Sequence, residues 1–166
     1  MIRRPTPIPP QPGQESVWDY PRPARWEDTN KHLKVVFNDV VIAETRQGKR
    51  VLETSHPPTY YFPETDVKLE YVINSEEVSV CEWKGVAYYY DVIVNGKKAA
   101  KAAWRFFKPT SYFAPLAQYY CFPAQQMDAC YVDDELVTPQ AGSYYGSWIT
   151  KDIVGPFKGE PGTMGW

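Results

Sequence analysis

Four side chains could carry acid, base or nucleophilic chemistry out of aromatic surroundings: Glu53, His56, Cys81 and Lys84. A Cys81 thiolate beside a cationic Lys84 or a protonated His56 would have a lowered pKa and act as a nucleophile, with His56 or Glu53 as its base. Each residue also has a purely structural reading. Cys81 can be a small buried hydrophobe, and His56 can bond the turn that Pro57 and Pro58 impose. Glu53 can form an ion pair with Arg50 or Lys84, and Lys84 can be a turn residue before Gly85. Rings come from Tyr60, Tyr61, Tyr88, Tyr89, Tyr90 and Trp104. Consecutive tyrosines on a strand point to opposite faces, so about half of them are core or surface filler. The others can line a pocket for a flat or cationic ligand. The expected ligand contacts are Arg50, Tyr60, Tyr61, Lys84, Tyr89 and Trp104.

Such a site has to be held by strands. Leu33, Val35 and Phe37, then Asn38-Asp39, then Val41 and Ala43 read as two alternating runs about a turn dipeptide, which is a hairpin. Further strands are expected over Arg50–Glu53, Tyr60–Phe62, Val67–Ile73, Tyr119–Phe122 and Ala129–Val132, with a turn over Asn74–Glu77. Asn95-Gly96 is a strong hairpin signal. Counting outward from a two-residue turn sets Ile93 opposite Lys98, Asp91 opposite Ala100, Tyr89 opposite Ala102 and Ala87 opposite Trp104. The run Lys97–Trp104 is rich in Ala and Lys, and by propensity alone it could be helical. Alternation of Ala100, Ala102, Trp104 and Phe106 against Lys97, Lys101 and Arg105 favours a strand. Pro115 limits any helix between Tyr112 and Tyr120 to a turn or two.

The 166 residues suit one mostly β domain. We divide them into a proline-rich extended arm (1–17), the domain proper (18–137) and a glycine- and aromatic-rich tail (138–166). Five prolines lie between Pro5 and Pro12. Removal of Met1 to Glu15 is therefore expected to cost under about 1 kcal/mol. A net charge of −2 and a pI near 5.7 argue against nucleic acid as a partner, since phosphates require clustered Lys and Arg. Cys81, Cys121 and Cys130 contain no C-x-x-C pair and leave an odd thiol, so no disulfide framework, metal site or cofactor is expected. With no secretory signal and no apolar run near the roughly 18–20 residues of a membrane span, we expect a cytoplasmic protein with no membrane partner.

Several long, ordered stretches carry a family resemblance. Arg50 to Pro63 reads Arg-Val-Leu-Glu-Thr-Ser-His-Pro-Pro-Thr-Tyr-Tyr-Phe-Pro, and Cys81 to Tyr88 reads Cys-Glu-Trp-Lys-Gly-Val-Ala-Tyr. With Trp18 to Pro23 (Trp-Asp-Tyr-Pro-Arg-Pro) and Ala103-Trp104, the span from Trp18 to Val132 resembles the bacterial family known as domain of unknown function 427. The resemblance implies a β-tent-like pair of antiparallel sheets with at most one or two short helices. Many proteins of that fold class hold zinc on paired C-x-x-C motifs, which this sequence lacks. The family has also carried a nucleotidyltransferase label. No glycine-rich phosphate loop supports it, and Asp133-Asp134-Glu135 reads as a solvated turn.

The functional expectation is a small-molecule-binding β domain whose aromatic pocket carries Glu53, His56, Cys81 and Lys84. Two rivals stand beside it. One is an enzyme with Cys81 as nucleophile. The other is a non-catalytic interaction module that meets a protein partner through the proline-rich arm or the tail.

Overall fold

The computed structural model describes residues 5–81, 85–142 and 146–166, with Cys81 described by its backbone alone. Short alternating runs become strands along most of the chain. In order these are β1 (Glu15–Ser16), β2 (Arg25–Thr29), β3 (Leu33–Phe37), β4 (Val40–Thr45) and β5 (Gly48–Leu52). Next come β6 (Thr59–Pro63), β7 (Val72–Cys81), β8 (Gly85–Val94), β9 (Lys97–Phe107) and β10 (Tyr119–Cys121). The last are β11 (Ala129–Val132), β12 (Glu135–Leu136), β13 (Thr138–Pro139), β14 (Trp148–Ile149) and β15 (Ile153–Val154). Helical geometry among the described residues is confined to short 3-10 segments, the longest being Ser111–Leu116, which contains Pro115.

Two larger sheets result, as expected. One has seven strands in the order β2-β5-β6-β10-β9-β8-β7, the other four in the order β12-β11-β3-β4. Every pairing within them is antiparallel. Phe37 faces Val40 across Asn38 and Asp39, whose φ angles of 47° and 62° give the hairpin turn that the dipeptide predicts.

Between the sheets lies a continuous apolar core. Leu33, Val35 and Ile42 enter it from the smaller sheet, Phe62 and Val92 from the larger, and Trp148 and Phe122 fill the space beside them. Trp148 is fully buried, and its Nε1 donates to the Phe122 carbonyl at 2.9 Å. Burying a large apolar side chain in this way stabilises the fold by roughly 1.5–3 kcal/mol. The seven-stranded sheet is apolar on its other face too. There Val51, Tyr61, Ala87, Phe106 and Cys121 pack under Phe113 and Leu116 of the 3-10 segment.

Three expectations need correction. Val67–Ile73 is not a strand throughout, because a 3-10 turn occupies Leu69–Tyr71 and β7 begins only at Val72. Asn74–Glu77 is a local kink inside β7 and does not end it. Glu76 takes φ 66°, Asn74 Oδ1 accepts from the Glu76 amide at 2.7 Å, and pairing with β8 resumes at Val78. The third concerns the β8–β9 hairpin. Ile93 does face Lys98, but the ladder shifts between Tyr90 and Val92, so Tyr89 faces Trp104 and Ala87 faces Phe106. Lys101 takes φ 50° at this bulge, and its amide donates to Asp91 Oδ1 at 2.9 Å. Asp91 thus captures a backbone donor that the regular ladder would have used. The Lys- and Ala-rich run is a strand because its pairing with β8 outweighs its helix propensity.

The two ends of the chain lie together. β1 pairs in parallel with β15, and the Ile8 amide donates to the Gly155 carbonyl at 2.9 Å. Trp18 Nε1 donates to the Pro156 carbonyl at 2.9 Å, and the Trp18 ring meets Trp166 at 5.7 Å. The C-terminal segment is laid over the domain.

Candidate functional site

Where β5 ends, the chain makes a tight turn that puts an acid beside an imidazole. The His56 amide donates to the Glu53 carbonyl at 3.0 Å, and Ser55, at φ 73°, is fully buried inside the turn. The Ser55 amide is held by the Val17 carbonyl at 3.1 Å, and its carbonyl accepts from the Lys158 amide at 2.9 Å. With the turn pinned on both sides, His56 Nε2 stands 3.9 Å from Glu53 Oε2, and both side chains are largely buried.

A residue that the motifs do not mark sets the state of this histidine. The buried Gln140 side chain donates through Nε2 to the Lys158 carbonyl at 2.8 Å and meets His56 Nδ1 at 3.0 Å. A carbonyl can only accept, so the amide nitrogen of Gln140 has to face Lys158, and its second hydrogen then points at Nδ1. Nδ1 is therefore the acceptor, and the neutral ring carries its proton on Nε2, toward Glu53.

One wall of the site comes from β8 and β9. Tyr89 and Trp104 are directly opposed, with ring centroids 6.3 Å apart, and the Tyr89 hydroxyl pairs with Ser79 Oγ at 3.0 Å. Phe106 and Ala87 continue the wall. The strap before β14 closes the opposite side. There Thr59 Oγ1 and Ser147 Oγ are 2.7 Å apart, and a Cβ on Gly146 would come within 2.6 Å of the Trp104 ring. Only glycine fits so close to the indole. Together these residues enclose a cavity of about 380 Å³ lined by Glu53, His56, Thr59, Tyr61, Tyr89, Trp104, Phe106 and Lys158, among others. A second hollow opens from the same Tyr89–Trp104 pair toward Lys101 and Gln126.

Of the residues singled out by sequence, Glu53, His56, Tyr61, Tyr89 and Trp104 meet at this cavity. Arg50 and Tyr60 do not line it. Arg50 grips both carboxylate oxygens of Glu15 at 2.9 Å and reaches Glu27 at 2.6 Å. Burial works against its charge, but hydrogen bonds and attraction from Glu15, then Glu27, outweigh burial and hold the guanidinium above its ordinary pKa. Tyr60 alternates to the other face of β6, where it packs 5.3 Å from Trp148 and burial raises its phenol. The Cys81 side chain and the whole of Lys84 lie outside the described residues.

Sequence reasoning missed Gln140, Ser147 and Lys158. All three come from the glycine-rich stretch, where no period assigns a face. The one usable signal is the pairing of short Thr-Pro and Trp-Ile runs at β13 and β14.

Two other thiols are accounted for. Cys121 and Cys130 are both buried, and burial pushes the Cys130 thiol far above its usual range. Among the described residues, no group of three His, Cys, Asp or Glu side chains is placed to hold a metal. No described helix is long and apolar enough to cross a membrane. Asp133 and Asp134 form the β11–β12 turn at φ 48° and 67°, so they behave as turn residues.

This fold and site define a mostly β protein built on two larger antiparallel sheets, with an aromatic cavity on the outer face of the seven-stranded one. A family model described as Domain of unknown function (DUF427) matches residues 25–133, and the chain belongs to that family. Comparison with curated proteins finds no match. The matched span holds Glu53, His56, Tyr89 and Trp104, whereas Gln140, Ser147 and Lys158 follow it.

Proposed function

We propose that the cavity binds a small organic molecule, with Trp104, Tyr89 and Phe106 against its flat or apolar part and Glu53 and His56 at its polar end. One observation carries this reading: five residues chosen for their chemistry converge on a single cavity from distant parts of the sequence. Its volume of about 380 Å³ falls within the roughly 300–1,000 Å³ of ligand pockets. Its mixture of rings with a few convergent polar groups is also typical of them. The free thiol at Cys130 fits a reducing compartment, as the cytoplasm is.

The test is a fragment screen by NMR on the isotopically labelled full chain, read at the Trp104 indole N–H. Binders should shift that signal together with the Glu53 and His56 amides, and Trp104→Ala should abolish the response. Hits scattered elsewhere, or no response at these positions, would overturn the reading.

A second reading adds catalysis, with Cys81 as nucleophile and Glu53 or His56 as base. In its favour, the Cys81 backbone sits in β7 two residues beyond Ser79, which lines the cavity. Because Nδ1 of His56 accepts from Gln140, Glu53 is the better base of the two. The reading requires Cys81 to alkylate at neutral pH in native protein, and an inert thiol would exclude it.

A further inference from the structure

The cavity holds two opposite charges that do not satisfy each other. Glu53 and Lys158 both line it, yet no ion pair joins them, and Lys158 has no ionic partner among the described residues. Among the described residues the one ionic contact of Glu53 is His56 at 3.9 Å, and the Gln140 amide opposes a charge on that ring, because an Nδ1–H would meet another donor. Among the described residues, then, Glu53 is an acidic side chain only 21% exposed with no cation committed to it. A carboxylate taken largely out of water calls for a cationic or donor partner.

We propose that the cavity selects a zwitterion with a flat apolar body, the chemical class of aromatic α-amino acids. This inference rests on the reading of the cavity as a binding site. The ligand's ammonium would pair with Glu53 and its carboxylate with Lys158, while its ring packs against Trp104 and Tyr89. Other classes fit less well. A simple anion meets the repulsion of Glu53, and a phosphate finds one lysine and no arginine among the described lining residues. A simple cation would suit Glu53 and the rings but leaves Lys158 opposed to it. Among the described lining residues the fixed charges are one carboxylate and one ammonium, and a ligand carrying both signs matches them.

Calorimetry on the full chain at neutral pH, with L-tryptophan, tryptamine and indole-3-propionate as probes, separates these cases. L-tryptophan should bind about ten- to a hundredfold more tightly than either singly charged analogue, the usual weight of one charge-assisted hydrogen bond. Glu53→Gln should bring L-tryptophan down to the level of indole-3-propionate, and Lys158→Met to that of tryptamine. If either analogue binds the native protein as tightly as L-tryptophan does, the zwitterion inference is wrong, whatever the variants do. Should all three fail while other fragments shift the Trp104 indole, the inference also falls and the cavity remains a binding site. If nothing shifts that indole, both fall.

Discussion

Arg50 and Glu53 stand three residues apart on one stretch of chain, both largely buried, and their charges are handled in opposite ways. Around Arg50 everything is matched: Glu15 takes two of its donors, Glu27 a third, and the Tyr20 hydroxyl closes the ring on Glu15 at 2.7 Å. Around Glu53 little is matched among the described residues, and the Gln140 amide faces Nδ1 of the neighbouring histidine. A buried ion cluster with all its partners present is a structural device, whereas a buried charge without a committed partner marks a place where something else is to bind. The same strand end thus serves stability on one side and, in the function proposed above, recognition on the other.

Arg50→Met puts that contrast under the greatest strain. Glu15 and Glu27 would be left close together without their cation, and we expect a loss of about 2–3 kcal/mol by denaturant unfolding. That is below the 3–5 kcal/mol of a fully buried pair because both acids remain partly exposed. Glu53→Gln should change stability by under about 0.5 kcal/mol while altering ligand binding. If the two substitutions cost the same, the two regions are not of different kinds.

Ala102→Leu comes next, at roughly 1–3 kcal/mol for overpacking. Ala102 is fully buried in the core between the sheets and does not face Tyr89. Thermal unfolding should report the loss, and the Trp104 indole N–H shift should stay where it is.

Truncation sharpens the role of Glu15. Removal of residues 1–14 should cost under about 1 kcal/mol, since most of that arm is exposed. Removal of residues 1–15 should cost about 1–2 kcal/mol, more than the proline content alone suggests, because Glu15 leaves Arg50 and Tyr20 behind. Equal effects would show that the carboxylate contributes nothing.

The smallest expected effect is a change of slope with pH. Hydrogen bonding from Arg50 holds the Glu15 carboxyl below the usual carboxylate range. A folded-state pKa below the unfolded one gives stability that is fully present above the ordinary value of about 4.3. That stability is lost as pH falls through the lowered folded value. Glu15→Gln should therefore flatten the acid limb of the stability curve below about pH 5 and leave the neutral limb parallel to that of the native protein.

Much of this architecture is legible in the residues themselves. Turn dipeptides at Asn38-Asp39 and Asn95-Gly96 place two hairpins, and the Ala129–Val132 strand stands where alternation puts it. The Glu53–His56 pair is legible because a proline-flanked turn keeps both residues at one strand end. What could not be read is which neighbour each polar group finds across space. Arg50 looked like a ligand contact because nothing in the sequence brings Glu15 to it, and Tyr60 and Tyr61 are indistinguishable until the sheet decides which face is covered. Gln140 and Lys158 reach the site through a stretch without periodicity, held by hydrogen bonds to residues far away in the sequence. No local rule predicts such contacts.

The bulge at Asp91 and Lys101 bears on how this domain tolerates changes in chain length. It adds two residues to β9 relative to β8, and an even excess returns every later side chain to its own face. That is why Trp104 still stands beside Tyr89 although the pairing slid. Deleting two of the three residues from Ala100 to Ala102 would restore a regular ladder with the indole in place. Deleting one, or inserting one, would turn Trp104 and Phe106 into the space between the sheets and bring Ala103 and Arg105 out to the cavity. Homologous domains that differ in length at this point should therefore differ by pairs of residues.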